Sequence, residues 1–200
     1  MAVKIRQYEN YDQYIQHQKE KTGDADRRLR LVQAFSQRES YFLSRLKNTI
    51  ERASLETSGR LVCLGARMGE EVSAWRKLGF KNSIGTDLIA RPPYVVVEDF
   101  HNLSYDDGTV DIFYTNSIDH SNDPATMFSE ISRCLKEGGS CIVDFQFGHM
   151  GNYEACRIDN VEDVKKMIPN CLKIVGSPTI VGTLSNPTTE IIFRKETTGD

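Results

Sequence analysis

The spacing of apolar residues divides the chain near residue 59. Before it, Tyr8, Tyr11 and Ile15 share one face, and Leu43, Leu46, Ile50 and Ala53 recur at i, i+3, i+7 and i+10. That period predicts two or three amphipathic helices over residues 1–58. Thr22-Gly23-Asp24 separates the first from the second, with Asp24 placed to cap the next helix, and Thr57-Ser58-Gly59 reads as a loop. From residue 61 the texture changes to short apolar runs alternating with helical patterns, the signature of a parallel α/β sheet. Strands are predicted over 61–64, 83–86, 94–98, 111–115 and 140–145, and helices over 70–78 and 125–135. The second of these helices has Asp123 as cap, Pro124 in its first turn and Met127, Phe128, Ile131 and Leu135 as its buried stripe. The last part predicts a helix over 161–168, a strand over 172–181, a turn over 182–187 and a strand over 190–194. Two strands joined so closely should pair antiparallel, as a terminal hairpin.

The stretch from Leu61 to Val72 organises the rest. The unbroken apolar run Leu61 to Leu64 reads as a buried strand, followed at once by Gly65-Ala66-Arg67-Met68-Gly69 and then by Val72, Trp75 and Leu78 at helical spacing. Strand, tight turn and helix N-terminus aim free backbone N–H groups and a helix dipole at one point, and glycine lets a ligand approach the backbone.

Composition bounds the partners. A chain of 200 residues, 39% of them apolar, is of ordinary size for one domain, read as an N-terminal helical cap over 1–58 and a core over 59–200. The net charge of −3 gives no global reason to expect a nucleic acid or an anionic membrane as partner. Cys63, Cys134, Cys141, Cys156 and Cys171 form no C-x-x-C pair, and three of them fall in or beside apolar runs, so they read as reduced core thiols. Met1 to Tyr8 shows no apolar h-region, and no stretch approaches the roughly 20 apolar residues of a membrane span. The expectation is a soluble, cytoplasmic protein with a small-molecule partner.

The second predicted strand ends in Gly85-Thr86-Asp87, an acid 22 positions after Gly65. In nucleotide-binding α/β domains an acid about 20 positions after the first glycines hydrogen-bonds the ribose hydroxyls. The third ends in Glu98-Asp99-Phe100-His101 and the fourth in Tyr114-Thr115-Asn116-Ser117-Ile118-Asp119-His120. Asp87, Asp99 and Asp119 with His101 and His120 therefore fall in three loops that should converge at the carboxyl edge of the sheet.

In their order, Leu-Gly-x-x-x-Gly, Gly-Thr-Asp-Leu, the run from Glu98 to Ile112, Asn-Ser-Ile-Asp-His and Cys-Leu-Lys-Glu-Gly-Gly make residues 60–146 resemble a class I S-adenosylmethionine-dependent methyltransferase of the small "type 11" kind. The resemblance implies a Rossmann-like, seven-stranded, mostly parallel sheet with a C-terminal antiparallel hairpin and N-terminal helices. It implies that Gly65, Ala66, Arg67 and Gly69 line the methionine moiety and that Asp87 holds the ribose. Leu88 and Phe100 would flank adenine, Asp99 would meet its amino group, and Asn116 and Ser117 would lie beneath the sulfonium. The implied reaction is in-line transfer of the sulfonium methyl to a small-molecule acceptor.

Two positions depart from the pattern. Cys63 stands where the first strand commonly carries an acid, and Arg67 where the turn commonly has glycine, although its guanidinium would suit the methionine carboxylate. His120 is the first choice for a base, with His101, Asp119 and Tyr114 behind it, against the plainer role of bracing the strand-end loops. His149 lies in the loop after the fifth strand, and no His/Cys cluster has ligand spacing, so no metal is expected. The N-terminal helices could complete an acceptor site through Tyr8, Tyr11, Tyr14 and Arg28, or form a homodimer surface; the basic cluster Arg27, Arg28 and Arg30 reads as a solvated face. Two rivals stand beside this reading. A dinucleotide oxidoreductase would need the two later glycines of G-x-G-x-x-G, which the turn lacks, and a non-catalytic binding module would fit the changes at Cys63 and Arg67.

Overall fold

A computed structural model describes residues 3–183 and 186–197. Helix α1 (Tyr11–Gly23) starts at Asn10, whose side chain accepts from the Gln13 amide at 2.9 Å. Asp24 accepts from the Arg27 amide at 2.6 Å and starts α2 (Ala25–Ala53), so one short polar residue separates the two helices. A mainly parallel sheet follows, built from β2 (Leu61–Leu64), β3 (Ser83–Asp87), β4 (Val95–Val97), β5 (Val110–Thr115) and β6 (Leu135–Phe145). Helix α3 (Glu70–Lys77) connects β2 to β3, and α4 (Pro124–Cys134), with Asp123 as its cap, leads into β6. The chain closes with α5 (Val161–Lys165), β8 (Leu172–Ile174), β9 (Thr179–Thr183) and β10 (Asn186–Lys195). Strand order is β4-β3-β2-β5-β6-β10-β8, with β10 antiparallel to β6, β8 and β9.

The structure corrects the expected strand count. Residues 172–181 do not form one strand: the segment is broken around Gly176 and Pro178, so β8 and β9 pair with different parts of β10 and the sheet has eight strands among the described residues. Proline cannot donate to a ladder and glycine at φ +67° turns the chain, which accounts for the split. The expected turn over 182–187 falls in part on residues 184 and 185, outside the described residues. A separate two-stranded ladder, β1 (Lys4–Ile5) with β7 (Cys156–Arg157), was not legible in the sequence because two-residue strands carry no period.

Two apolar clusters sandwich the sheet, one between α4, α5 and β10, the other beneath α2 and α3 around Phe42, Leu46, Trp75 and Tyr114. Within the second, Arg45 of α2 is buried and reaches Asp144 on β6, the Tyr114 hydroxyl at 2.9 Å and Glu190 on β10 at 3.4 Å. Glu190 also accepts from Thr49 at 2.7 Å and pairs with Arg52 at 2.6 Å. Two carboxylates and one guanidinium are thus held in the core by mutual charge, and the carboxylates raise the Arg45 pKa against the burial that would lower it. No helix among the described residues is long and apolar enough to cross a membrane.

Arg45→Met should lower stability by about 3–5 kcal/mol, because it leaves Asp144 without its charged partner and Glu190 with Arg52 alone. Urea unfolding followed by circular dichroism measures it; a loss below about 1 kcal/mol would show that the network does not anchor α2.

Candidate active site

In an open parallel sheet, ligands bind outside the carboxyl ends of the strands where the strand order reverses. Here that point lies between β2 and β5, and a cavity of about 250 Å³ opens there. Its floor is the bend 65–69. Gly65 and Gly69 have φ of +68° and +83°, and Arg67 between them has φ +45°, the left-handed region that costs a side-chain-bearing residue roughly 1–2 kcal/mol. A Cβ on Gly65 would stand 2.5 Å from the Ser117 hydroxyl oxygen, so the bend can approach the end of β5 only with glycine there. The Ala66 amide donates to the Thr86 carbonyl at 2.9 Å, and the Arg67 amide donates to Asp87 at 3.1 Å. Asp87 at the end of β3 therefore fastens the bend from the neighbouring strand; burial pushes its pKa up, while the amides of Ile89 and Arg67 oppose that.

The structure brings together on this cavity Gly65, Ala66, Arg67, Asp87, Leu88, Asp99, Phe100, Asn116, Ser117, Asp119 and His120. Gly69 lies under the bend rather than in the lining, tight against the Tyr94 side chain. Two candidate bases stand elsewhere. Tyr114 is buried in the core with its hydroxyl donating to Asp144 at 2.5 Å, and burial drives its pKa well up. His101 is not in the lining; its Nδ1 meets the Tyr11 hydroxyl at 2.9 Å and its Nε2 meets Ser121 at 2.7 Å, so it braces the loop after β4. Asp99 accepts from the Tyr11 hydroxyl at 2.5 Å and from the His101 amide at 2.9 Å; burial raises its pKa, and these bonds outweigh that and lower it.

His120 faces the cavity with both ring nitrogens engaged. Nδ1 lies 3.1 Å from the Tyr153 carbonyl, which can only accept, so Nδ1 carries the proton and Nε2 is left to accept from the Lys21 ammonium against it. Asp119 approaches Nε2 at 3.9 Å, and its Oδ1 is buried with no hydrogen-bond partner among the described residues. Asp119, His120 and Glu154 each place one ligand-type atom within 4.8 Å of the others. Lys21 supplies a cation to that group itself. His149 is exposed, 3.7 Å from Glu154.

Several lining residues escaped the sequence reading. From α1 come Gln18, Lys21 and Thr22 beside Tyr14, the one residue on the cavity among the four side chains expected to line an acceptor site. Their signal is spacing, since 14, 18 and 21 are i, i+4 and i+7 on one helical face. From α3 come Glu70, paired with Arg38 at 2.8 Å, and Glu71, fully buried with its pKa raised to about 8 by burial and by Glu70. Glu71 is near enough to Cys63 to raise the thiol further after burial has done so. A carboxyl from α3 thus stands beside the strand position where the acid is missing. Arg67 is mostly buried, its Nε has no hydrogen-bond partner among the described residues, and burial followed by repulsion from Arg38 lowers its pKa.

Comparison with known proteins agrees with this geometry. Residues 62–143 match the family model described as a methyltransferase domain. The 1,6-didemethyltoxoflavin-N1-methyltransferase of Burkholderia thailandensis, solved with 1,6-didemethyltoxoflavin and S-adenosylhomocysteine bound, superposes with a TM-score of 0.71 at 12% identity, over 98% of this chain and 95% of that one. An S-adenosylmethionine-dependent methyltransferase from Thermotoga maritima gives 0.65 at 16% identity, over 88% and 98%. A [4+2]-cyclase gives 0.62 at 14% identity, over 75% and 79%, so this fold also carries other chemistry. No curated protein matches the chain by sequence.

Arg67→Gly should leave stability unchanged or raise it by up to about 1 kcal/mol, since glycine adopts φ +45° without strain, whereas Arg67→Ala keeps the strain and gains nothing. Thermal unfolding of the two variants decides it; a glycine variant clearly less stable than the alanine one would mean that the bend is not strained.

Proposed function

We propose, with residues 62–143 forming a class I methyltransferase domain, that this chain transfers the methyl group of S-adenosylmethionine to a small-molecule acceptor. The observation that carries this reading is one cavity lined by complementary groups: the glycine bend, the Asp87 carboxylate, the unpartnered Nε of Arg67 and the buried carboxyl of Glu71. S-adenosylmethionine supplies a methyl group on a positively charged sulfur, from which a nucleophile takes it in line. The protein's own work is to align the two partners away from water and to handle one proton.

The residues present fit that ligand group by group. Asp87 offers a carboxylate to the ribose hydroxyls, and Leu88 and Phe100 offer apolar surface to the adenine. Asp99, already held by Tyr11 and His101, keeps lone pairs for the exocyclic amine. Arg67 offers its guanidinium to the methionine carboxylate, which gives the strained arginine a reason to be there. Glu71 takes the part of the acid absent at Cys63 and faces the ligand ammonium. Asn116 and Ser117, at the end of β5, line the wall between this part of the cavity and the face of α1.

Arg67→Ala should weaken binding of S-adenosylmethionine and of S-adenosylhomocysteine alike, by roughly 10- to 100-fold, on the scale of one hydrogen-bonded charged contact. Titration calorimetry measures both, and unchanged affinity would remove Arg67 from the site. Glu71 is protonated below about pH 8 and must lose that proton to meet an ammonium. Affinity for both ligands should therefore rise with pH up to about 8, and Glu71→Gln should flatten the profile.

A further inference from the structure

We infer that Lys21 takes the proton of the acceptor. This rests on the reading that the cavity holds S-adenosylmethionine. Lys21 sits in the last turn of α1, is buried, and lines the cavity together with Asn116, Ser117 and Arg67. The imidazole of His120 is not available for the task, because Nδ1–H points at the Tyr153 carbonyl and Nε2 receives the Lys21 ammonium. His120 is instead a positioning residue, itself fixed by the Tyr14 hydroxyl donating to its backbone carbonyl at 3.0 Å.

The groups facing Lys21 come from four places: His120 and Asp119 after β5, Glu154 in the loop before β7, Arg67 in the bend and Arg27 on α2. Burial, then Arg67, lowers the lysine pKa to about 8, against the raising pull of Asp119 and Glu154. A base works best when its pKa lies near that of the proton it takes and near the operating pH. An acceptor proton with a pKa of roughly 10, as on a phenol or an alkylammonium, meets that condition, whereas a carboxylic acid, at roughly 4, needs no base. In the proton step the acceptor's O–H or N–H bond breaks, its electron pair stays on that oxygen or nitrogen, and the proton joins the lone pair of Nζ. The resulting ammonium is held by His120 Nε2.

A charge consequence makes this testable without knowing the acceptor. A sulfonium and an ammonium sharing one small cavity repel, so the sulfonium ligand should expel a proton from Lys21. S-adenosylhomocysteine, which has the same amino-acid and nucleoside parts but a neutral sulfur, should not. Calorimetric titrations of the full chain at pH 8 in two buffers of different ionisation enthalpy count the protons released. S-adenosylmethionine should release roughly half a proton more than S-adenosylhomocysteine, since a group with a pKa of about 8 is half charged there. Glu71 contributes to both titrations through the ammonium they share, so the difference isolates the sulfonium. In Lys21→Met the difference should vanish.

Equal proton counts in the unmutated chain, or a difference that survives in Lys21→Met, would overturn the inference. Failure of both ligands to bind would instead remove the cofactor reading beneath it. If Lys21→Met does not fold, the nitrogen-15 shift of Lys21 Nζ in lysine-labelled protein answers the same question: its titration midpoint should fall with S-adenosylmethionine and stay with S-adenosylhomocysteine. For the acceptor class, a panel of phenols, aliphatic alcohols and amines is followed by S-adenosylhomocysteine formation. Turnover of whichever phenols or amines are methylated should fall at least 10-fold in Lys21→Met; turnover unchanged in that variant, or methylation of aliphatic alcohols alone, would refute it.

Discussion

The cavity exists in this form because one guanidinium is buried in the middle of the molecule. Arg45 joins α2 to Asp144 on β6 and to Glu190 on β10, so the long helix is fixed across strands that are far apart in sequence. α1 is joined to α2 through the single capping residue Asp24 and so inherits its place, lying over the carboxyl edge of the sheet. Burying charges in this way is costly, and similar cores hold together without them. What the arrangement adds is direction: an apolar face can slide on another, whereas a guanidinium shared between two carboxylates on different strands has one register.

Charge inside the cavity follows from that placement. The bend contributes Arg67, α2 contributes Arg38, and α1 contributes Lys21; against them stand Glu70, Glu71, Asp87, Asp99 and Asp119. Glu70 and Arg38 neutralise each other at 2.8 Å, and Asp87 is occupied by backbone amides. The Nε of Arg67 is left without such a partner, and burial, as it does at Lys21 and Asp87, displaces the pKa values of Arg67 and Glu71 toward their neutral forms. A zwitterionic amino-acid group would restore the charge of both. The strain at Arg67 and the burial of Glu71 both cost stability, and both are costs that a ligand of matching charge would offset.

The centre of the sheet was legible in the sequence because β2, β5 and the second half of β6 are nearly all buried, and short apolar runs between helical patterns have few other interpretations. The loops at its carboxyl edge were legible for the same reason: once β2, β3 and β5 are located, Gly65, Asp87 and Asn116 must converge. α1 was read less well. Its inward face is Tyr14, Gln18, Lys21 and Thr22, while Ile15 is only half-buried. Apolar periodicity finds a helix face that packs on a core, and this face covers a cavity, so the rule pointed to Tyr8, Tyr11 and Ile15. Arg45 and Thr49 escaped in the same way, polar residues lying on a stripe identified through Leu46 and Ala53. His101 and Tyr114 were correctly located in chain order, but no spacing rule says which way a strand-end side chain turns.

The same placement of α1 ties the two ends of the cavity together. Tyr11 donates to Asp99, and Tyr14, three residues on, donates to the His120 carbonyl, so one helical turn holds the loop after β4 and the loop after β5 together. Anything that draws Asp99 toward a base amine pulls against Tyr11, and the pull passes along a rigid turn to the loop that carries Asp119 and His120. Because Lys21 projects from the same helix two turns after Tyr14, the position of its amine on the cavity depends on how Asp99 is held. The loops after β4 and β5 are therefore coupled through a single helix seated on both, with no need for a longer route through the core.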